Sequence, residues 1–351
     1  MEHYEANFLA SFENINTQSS RSLKKEVDGT YQVVMQMAGL KMKTPHLKKT
    51  GRILFIAAAV AACTVVTAAA YVLGTGNLFK EYFQSGDPRK AQPGVSLSES
   101  QVTGMDKAGI LLNRSATDNG TVINIRAAMG DKNCAYLLLD VTAPTGTVLN
   151  KNEYEFEDMP INFYDDEFYK NPNQSGGSAG WDILTQKDEN PNDNKKSFVI
   201  SVGCAGIKLQ NREIKMTLKN LSVSTGKLTC TPVIKGEWKF NFKLDYDTDS
   251  KIIKVNKVSH DSNGYATIPA VNLSTLSADV TFIDMKYRSG TKLYIPPKMK
   301  VYYKNGTQDE IMNGAGTGDG DSYTKVYRFN APMDFNKVEK ITIGDVEIPI
   351  K

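Results

Sequence analysis

One stretch constrains this chain more than any other: residues 53–73 read ILFIAAAVAACTVVTAAAYVL, with no charged residue, proline or glycine. A helix of about 21 residues, rising ~1.5 Å per residue, is ~31 Å long, which matches a hydrocarbon core of about 30 Å. Backbone groups at that depth find no water, so a spanning segment must be helical. The pattern therefore predicts a transmembrane helix, with a buried helix of a globular domain as the alternative.

Charge on the two flanks predicts the orientation of this helix. Lys41, Lys43, Lys48, Lys49 and Arg52 precede it, whereas the following side carries only scattered charge. The positive-inside rule then places residues 1–52 in the cytoplasm and residues 74–351 outside a cell membrane. The alanines at 68–70 also fit the cleavage site of a signal peptide, but the long leader and the long apolar run favour an uncleaved anchor.

The residues before the helix predict a short helical arm whose apolar side needs a partner, another copy of the chain or the membrane surface. Aromatic and aliphatic residues recur there at helical spacing, and an arm of this length cannot bury a core of its own. A helix held in the groove of a partner and a frayed tail are both open interpretations. The candidate partner-binding residues are Tyr4, Phe8, Phe12, Ile15, Val34 and Met37.

Beyond the helix the pattern is mainly β. Residues 74–95 read as a linker whose aromatic cluster, residues 78–83, suits the outer membrane interface, and Ser98 is placed to cap a helix that runs to Ala108. Two apolar runs then flank the turn GDKN at residues 130–133, which indicates a β-hairpin. Short alternating strands follow to the end of the chain and predict two antiparallel β-sandwich domains, residues 96–247 and 248–351.

Charge and cysteine content exclude several classes of protein. A net charge of +3 predicts no nucleic-acid partner. Cys63 lies in the apolar stretch, and the three later cysteines, Cys134, Cys204 and Cys230, cannot all pair within one chain. A disulfide between Cys204 and Cys230 is one possibility. The favoured interpretation is that the three cysteines are small buried residues.

After residue 73, few residues have the type and spacing that catalysis or metal binding requires. His260 is the single histidine there and lies in a predicted turn. The residues that a histidine-dependent hydrolase needs are therefore almost absent from this region. The glycine-rich residues 314–321 favour a hairpin tip over a calcium loop built on Asp319 and Asp321. The acidic run at residues 165–167 favours a solvated loop over acid–base catalysis. Trp181 and Trp238 favour core positions over sugar platforms, and we predict no catalytic residue, metal or cofactor.

The run NRSATDNGTVINIRAAMGDKNCAYLLLDV at residues 113–141 resembles the start of an ectodomain family of Gram-positive bacteria. That family has no assigned function, sits behind one transmembrane helix and is often described as anti-sigma-factor-like. GEWKFNFKLDY at residues 236–246 is similar to the strand that closes its first domain. Residues 271–282 and 338–350 are similar to its second, immunoglobulin-like domain. The shared motifs are structural and carry over no functional residue, and the arm lacks the cysteines of a zinc-type anti-sigma domain.

Two functional hypotheses follow from the layout and the resemblance. The first is a single-pass membrane regulator, an anti-sigma factor that links an outer sensing domain to a cytoplasmic sigma factor. The second is a surface-anchored module that binds a cell-surface ligand or mediates adhesion, with an inert tail. We expect no enzymatic activity under either hypothesis.

Overall fold

The computed structural model describes residues 74–86, 94–163, 177–188, 190–224, 230–260, 264–287, 295–311, 314–318 and 321–350. Two short helices precede the strands: α1 (Thr75–Ser85) and α2 (Glu99–Lys107). Helix α2 begins where the sequence predicts it, after Ser98, whose backbone N–H donates to Gln101 Oε1 at 3.0 Å. After α2, the strands of the described residues form antiparallel sheets, and one 3-10 turn, Phe335–Lys337, lies among them.

The first sandwich consists of two sheets that share one core. Sheet 1 has the strand order β1-β2-β3-β7-β6, and in sheet 2 the long strand β8 pairs with β9 on one edge and with β4 and β5 on the other. Trp238 is 1% exposed in this core, and its Nε1 donates to the carbonyl oxygen of Thr121 at 3.2 Å. The strands are β1 (Gly109–Asp118), β2 (Thr121–Gly130), β3 (Cys134–Thr142), β4 (Glu155–Asp158), β5 (Ile161–Asn162), β6 (Ser178–Thr185), β7 (Lys195–Ala205), β8 (Glu213–Ser224) and β9 (Cys230–Lys243).

The second sandwich repeats this arrangement with its own core. Sheet 3 has the order β10-β11-β12-β16-β15, and sheet 4 has the order β14-β13-β17-β18. Phe282, Val301 and Ile343 are fully buried between the two sheets. The strands are β10 (Ser250–His260), β11 (Gly264–Ser274), β12 (Ser277–Tyr287), β13 (Met299–Tyr303), β14 (Gln308–Ile311), β15 (Gly314–Gly318), β16 (Ser322–Arg328), β17 (Val338–Ile343) and β18 (Val346–Pro349). The boundary predicted between residues 247 and 248 stays a prediction, and the strands on its two sides belong to different sheets.

A third apolar core joins the sandwiches, because sheet 1 is buried on both faces. Alternate side chains of β3 point to opposite faces, so Leu137 and Leu139 enter the first core while Tyr136 and Leu138 enter the third. Helix α1 covers this outer face, and its Phe83 ring lies 5.3 Å from the Tyr136 ring. Val326 of β16 reaches the same cluster from the second sandwich. The aromatic cluster at residues 78–83 therefore packs on a sheet.

A buried polar contact fixes the turn between β2 and β3 against the second sandwich. Asp131 is fully buried, and its Oδ1 accepts the backbone N–H groups of Asn133 and Cys134, both at 2.8 Å. Its Oδ2 accepts the hydroxyls of Ser277, at 2.8 Å, and of Ser274. Burial raises the pKa of Asp131, although these four hydrogen bonds favour the charged form. The carboxyl group thus joins a turn of the first sandwich to the β11–β12 connection of the second.

The transmembrane helix predicted over residues 53–73 is not supported. Those residues lie outside the described part of the chain, and no helix within that part is long and apolar enough to cross a membrane. Helix α1 has 11 residues and α2 has 9, whereas a spanning helix needs about 20. The fold class is therefore corrected by removing the predicted transmembrane helix: the described residues are mainly β, with several antiparallel sheets and two short α-helices. The same finding overturns two further predictions, the single-pass arrangement and the cell-membrane localisation with a cytoplasmic N-terminus.

Replacing Asp131 tests the buried contact. Asp131→Ala leaves two buried backbone N–H groups without an acceptor, and we expect the free energy of unfolding to fall by about 3 kcal/mol. Asp249→Ala is the control, because the Asp249 side chain is 87% exposed in a 3.7 Å ion pair with Lys107 and should change stability by less than about 0.5 kcal/mol. Denaturant unfolding measures both, and equal effects would contradict the assigned role.

The raised pKa of Asp131 also predicts a pH dependence. The folded protein holds this proton more tightly than the unfolded chain, whose carboxyl has a pKa of 3.8. The resulting stability is complete below that value and is lost as the pH rises through the raised folded pKa. We expect the stability of the wild-type protein relative to Asp131→Asn to decrease from pH 4 towards pH 7. Unfolding of both proteins across this range provides the measurement, and a difference that grows with pH would be inconsistent with a raised pKa.

Candidate functional site in the groove between the sandwiches

A groove of about 400 Å³ lies where the outer face of sheet 1 meets β15 and β16 of the second sandwich. Its volume falls within the usual range of small-ligand sites. The lining combines one cation, one carboxylate, two hydroxyl groups, one thiol, two larger apolar side chains and several small residues: Arg328, Asp182, Ser178, Ser201, Cys134, Trp181, Val326, Ala179, Gly180, Gly203, Gly314 and Ala315.

Glycines leave the floor of the groove bare. Gly203 of β7 pairs with Cys134 of β3 on one side and with Gly180 of β6 on the other, so small residues occupy one row across three strands. A Cβ atom added at Gly180 or Gly203 would meet no atom within 4 Å. The space above these glycines is therefore open, and the backbone of sheet 1 is accessible from the groove.

Arg328 supplies the positive charge. It ends β16 and lies half-buried above sheet 1, where its Nη1 donates to Ser201 Oγ at a long 3.3 Å. Among the described residues this is the only hydrogen bond of its side chain, and none of their carboxylates lies within ion-pair distance of the guanidinium. Burial opposes the charge, but the neighbouring Tyr136 and Cys134 raise the pKa of Arg328 overall. A charged guanidinium with five N–H donors therefore borders the groove, and the described residues leave most of these donors unused.

Asp182 and the strand that carries it form one wall. Asp182 pairs with Ser201 across β6 and β7, which places it beside the hydroxyl that Arg328 contacts. Its Oδ1 accepts the N–H of Ile183 at 2.9 Å. All residues from 178 to 182 line the groove in succession. Because successive side chains point to opposite faces, this pattern indicates that the edge of β6 itself borders the groove.

The two buried thiols of sheet 1, Cys134 and Cys204, have raised pKa values. Burial raises the pKa of Cys134 well above its usual value, and burial raises the pKa of Cys204 to about 12. The two side chains enter different cores on opposite faces of sheet 1. Cys230 is exposed and its Sγ donates to Glu155 Oε1 at 2.7 Å, and all three cysteines are free. The Cys204–Cys230 bridge is thus not formed, and the expectation of burial is wrong for Cys230.

The remaining residues singled out in the sequence lie apart from the groove, except Trp181. Trp238 is a core residue, whereas Trp181 is 39% exposed at the groove wall, with its ring 5.8 Å from that of Phe163. His260 ends β10 and its Nδ1 lies 2.9 Å from Asp345 Oδ2. Within residues 314–321, where a hairpin tip is expected, Gly314–Gly318 form strand β15, which pairs antiparallel with the next strand, β16. No group of three or more potential metal ligands occurs within the described residues.

Several predicted sites lie outside the described residues. They are the acidic run at residues 165–167, Asp319, and the arm residues Tyr4, Phe8, Phe12, Ile15, Val34 and Met37. Sigma-factor binding by that arm therefore stays a prediction from the resemblance.

Sequence reasoning missed Arg328 because a single arginine near the end of a strand has no distinguishing pattern. The signal that was available is the small-residue content of both borders, SAG at residues 178–180 and GAG at residues 314–316. Such residues mark places where another backbone approaches closely.

Comparison with known proteins identifies no family. No family model matches the chain, and no curated protein matches it. The match to the crystal structure of the conserved domain protein from Bacillus anthracis covers 66% of this chain and 75% of that protein's chain, with 14% identity and a TM-score of 0.46. The match to the crystal structure of S. aureus TarS covers 71% of this chain and 46% of the TarS chain, with 12% identity and a TM-score of 0.15. Neither likeness is close enough to carry an argument about this chain.

Adding a side chain at Gly203, at the base of the groove, should leave the fold intact. We expect Gly203→Ala to raise the free energy of unfolding by about 0.4–1 kcal/mol, because the new Cβ meets nothing and the unfolded chain loses freedom. Gly264→Ala is the control, since its Cβ would lie 1.9 Å from the carbonyl oxygen of Lys286 and should destabilise the protein. Thermal unfolding of both variants checks the expectation, and a destabilised Gly203→Ala would mean that the space above the floor is not open.

Proposed function

We propose that this chain is a ligand-binding module and that the groove between its sandwiches holds a ligand with an anionic group. The observation that carries the proposal is the guanidinium of Arg328, half-buried at the groove with one long hydrogen bond to Ser201. This proposal retains the binding hypothesis drawn from the sequence and does not depend on a membrane anchor.

The energetics of a sheltered arginine support an anionic ligand. A charged group withdrawn from water loses hydration, and that loss is offset only when its donors find acceptors. A carboxylate or phosphate accepts two parallel N–H bonds from a guanidinium, and a hydrogen bond to a charged group contributes about 1.5–3 kcal/mol. A ligand anion at Arg328 would thus satisfy donors that the described residues leave unused.

The chemistry of the lining favours binding over catalysis. The described lining contains no histidine, and burial raises the pKa of the Cys134 thiol, so that it stays protonated at neutral pH. An activated nucleophile needs an adjacent base or a lowered pKa, and Cys134 has neither within the described residues. Ser178 and Ser201 hydrogen-bond to Gly316 O and to Arg328, contacts that position the hydroxyls without activating them.

Titration with simple anions tests the proposal. We expect acetate, succinate or inorganic phosphate to bind the full chain weakly, and Arg328→Gln to weaken binding about tenfold to a hundredfold. Arg114→Gln is the matched control, because Arg114 is exposed on β1 in the first sandwich. Chemical shifts of the groove amides measure the affinity. Absence of any anion binding, or equal losses in the two variants, would refute the proposal.

A further inference from the structure

The groove face of sheet 1 carries a carboxylate, Asp182, one strand away from the hydroxyl that contacts Arg328. Strand β6 pairs with β7 in one continuous register, so alternate residues of β6 stay on the same face. Ser178 points towards the groove, because its Oγ donates to the carbonyl oxygen of Gly316 in the second sandwich at 2.8 Å. Asp182 lies four residues further along the same strand and therefore points towards the groove as well.

The two charged groups of the groove are neighbours that do not form an ion pair. Asp182 stands opposite Ser201, and neighbouring strands lie about 4.8 Å apart. Arg328 Nη1 lies 3.3 Å from Ser201 Oγ, yet the guanidinium has no carboxylate of the described residues within ion-pair distance. Burial lowers the pKa of Arg328, and the Asp182 carboxylate is among the groups that raise it. The cation and the carboxylate thus border the same space beside Ser201.

A zwitterion matches a cation and a carboxylate that are held apart in this way. In a free α-amino acid a single carbon atom joins the ammonium and carboxylate groups, so one small molecule reaches both partners at once. The guanidinium takes the ligand carboxylate through parallel N–H bonds, and the Asp182 carboxylate accepts from the ammonium. Asp182 Oδ1 accepts the N–H of Ile183 at 2.9 Å, and an ionised carboxylate offers about four acceptor positions. The ammonium subsite therefore shares Asp182 with its contacts inside the protein.

The rest of the groove suits an uncharged side chain. Arg328 and Asp182 are the charged groups of the described lining, and the two charges of an amino acid engage both. One row further along the sheet lie Gly180 and Gly203, where an added Cβ would meet no atom within 4 Å. Ala315 borders this space from the second sandwich. A further charge placed there would lose hydration without gaining a partner among these residues.

We propose that the ligand of the groove is a free α-amino acid with an uncharged side chain. Its carboxylate binds Arg328, its ammonium group binds Asp182, and its side chain lies over Gly180 and Gly203. This inference rests on the proposed function, because it assigns a chemical class to the anion that Arg328 binds. It adds a second contact of opposite charge, which simple anions such as acetate cannot make.

Titration of the full chain with the uncharged amino acids, from glycine to phenylalanine, tests the inference. Chemical shifts of the groove amides measure each affinity. We expect the best amino acid to bind about tenfold or more tightly than acetate, because it makes a second charged contact. Its carboxamide lacks the anion and its N-acetyl derivative lacks the ammonium group. Each derivative should bind about tenfold or more weakly than the free amino acid.

Two variants assign each charged contact to its residue. In Asp182→Asn the free amino acid should bind about tenfold more weakly, and N-acetylation should then have little further effect, because the ammonium partner is already lost. In Arg328→Gln, conversion to the carboxamide should likewise have little further effect. Asp249→Asn is the matched control and should leave the affinity unchanged, because the Asp249 side chain is 87% exposed and is not part of the groove.

The outcomes separate this inference from the proposed function. An N-acetyl derivative that binds as tightly as the free amino acid, or an effect of N-acetylation that persists in Asp182→Asn, overturns the amino-acid assignment. Acetate or phosphate binding that depends on Arg328, without tighter binding of any amino acid, also overturns it but leaves the proposed function standing. No binding of amino acids or simple anions refutes both. The ligand derivatives carry this test on the wild-type protein, and thermal unfolding shows whether each variant is folded.

Discussion

Sheet 1 is the element on which both halves of the structure depend, because apolar side chains leave it on both faces. Leu137 and Leu139 fill the core of the first sandwich, and Tyr136 and Leu138 fill the core shared with helix α1 and the second sandwich. Fully burying a large apolar side chain contributes about 1.5–3 kcal/mol. This burial holds the two sandwiches together, and the groove exists because β15 and β16 are held above the same sheet.

Polar contacts give this apolar interface a defined register. Asp131 accepts hydroxyls from Ser274 and Ser277, and Lys132 Nζ lies 2.8 Å from Asp279 Oδ2. On helix α2, Gln101 Nε2 donates to the carbonyl oxygen of Pro332 at 2.6 Å. Apolar contacts alone would tolerate sliding, whereas buried hydrogen bonds lose most of their energy when displaced by an ångström. These contacts therefore determine how Arg328 lies relative to Ser201 and Asp182.

The sequence predicts the local structure well where periodicity and turn chemistry agree. The GDKN turn and the apolar run that follows it predict the β2–β3 hairpin, and Ser98 marks the start of α2. The same run, AYLLLDV, has no polar face, which is the sign of a strand buried on both sides, but it does not reveal what covers the second face. The glycine-rich β15 has too little β-propensity to be recognised and forms because β16 pairs with it. Arg328 escaped prediction because its position depends on contacts between residues far apart in the sequence.

The double burial of sheet 1 also determines how the chain can be divided. Cutting between β9 and β10 would remove Val326 and Leu276 from the shared core and leave Tyr136, Leu138 and Val199 without part of their cover. A contiguous apolar patch of this kind promotes self-association. The two sandwiches are thus better produced together than as separately recombined modules, because separation would expose the apolar surface that they share.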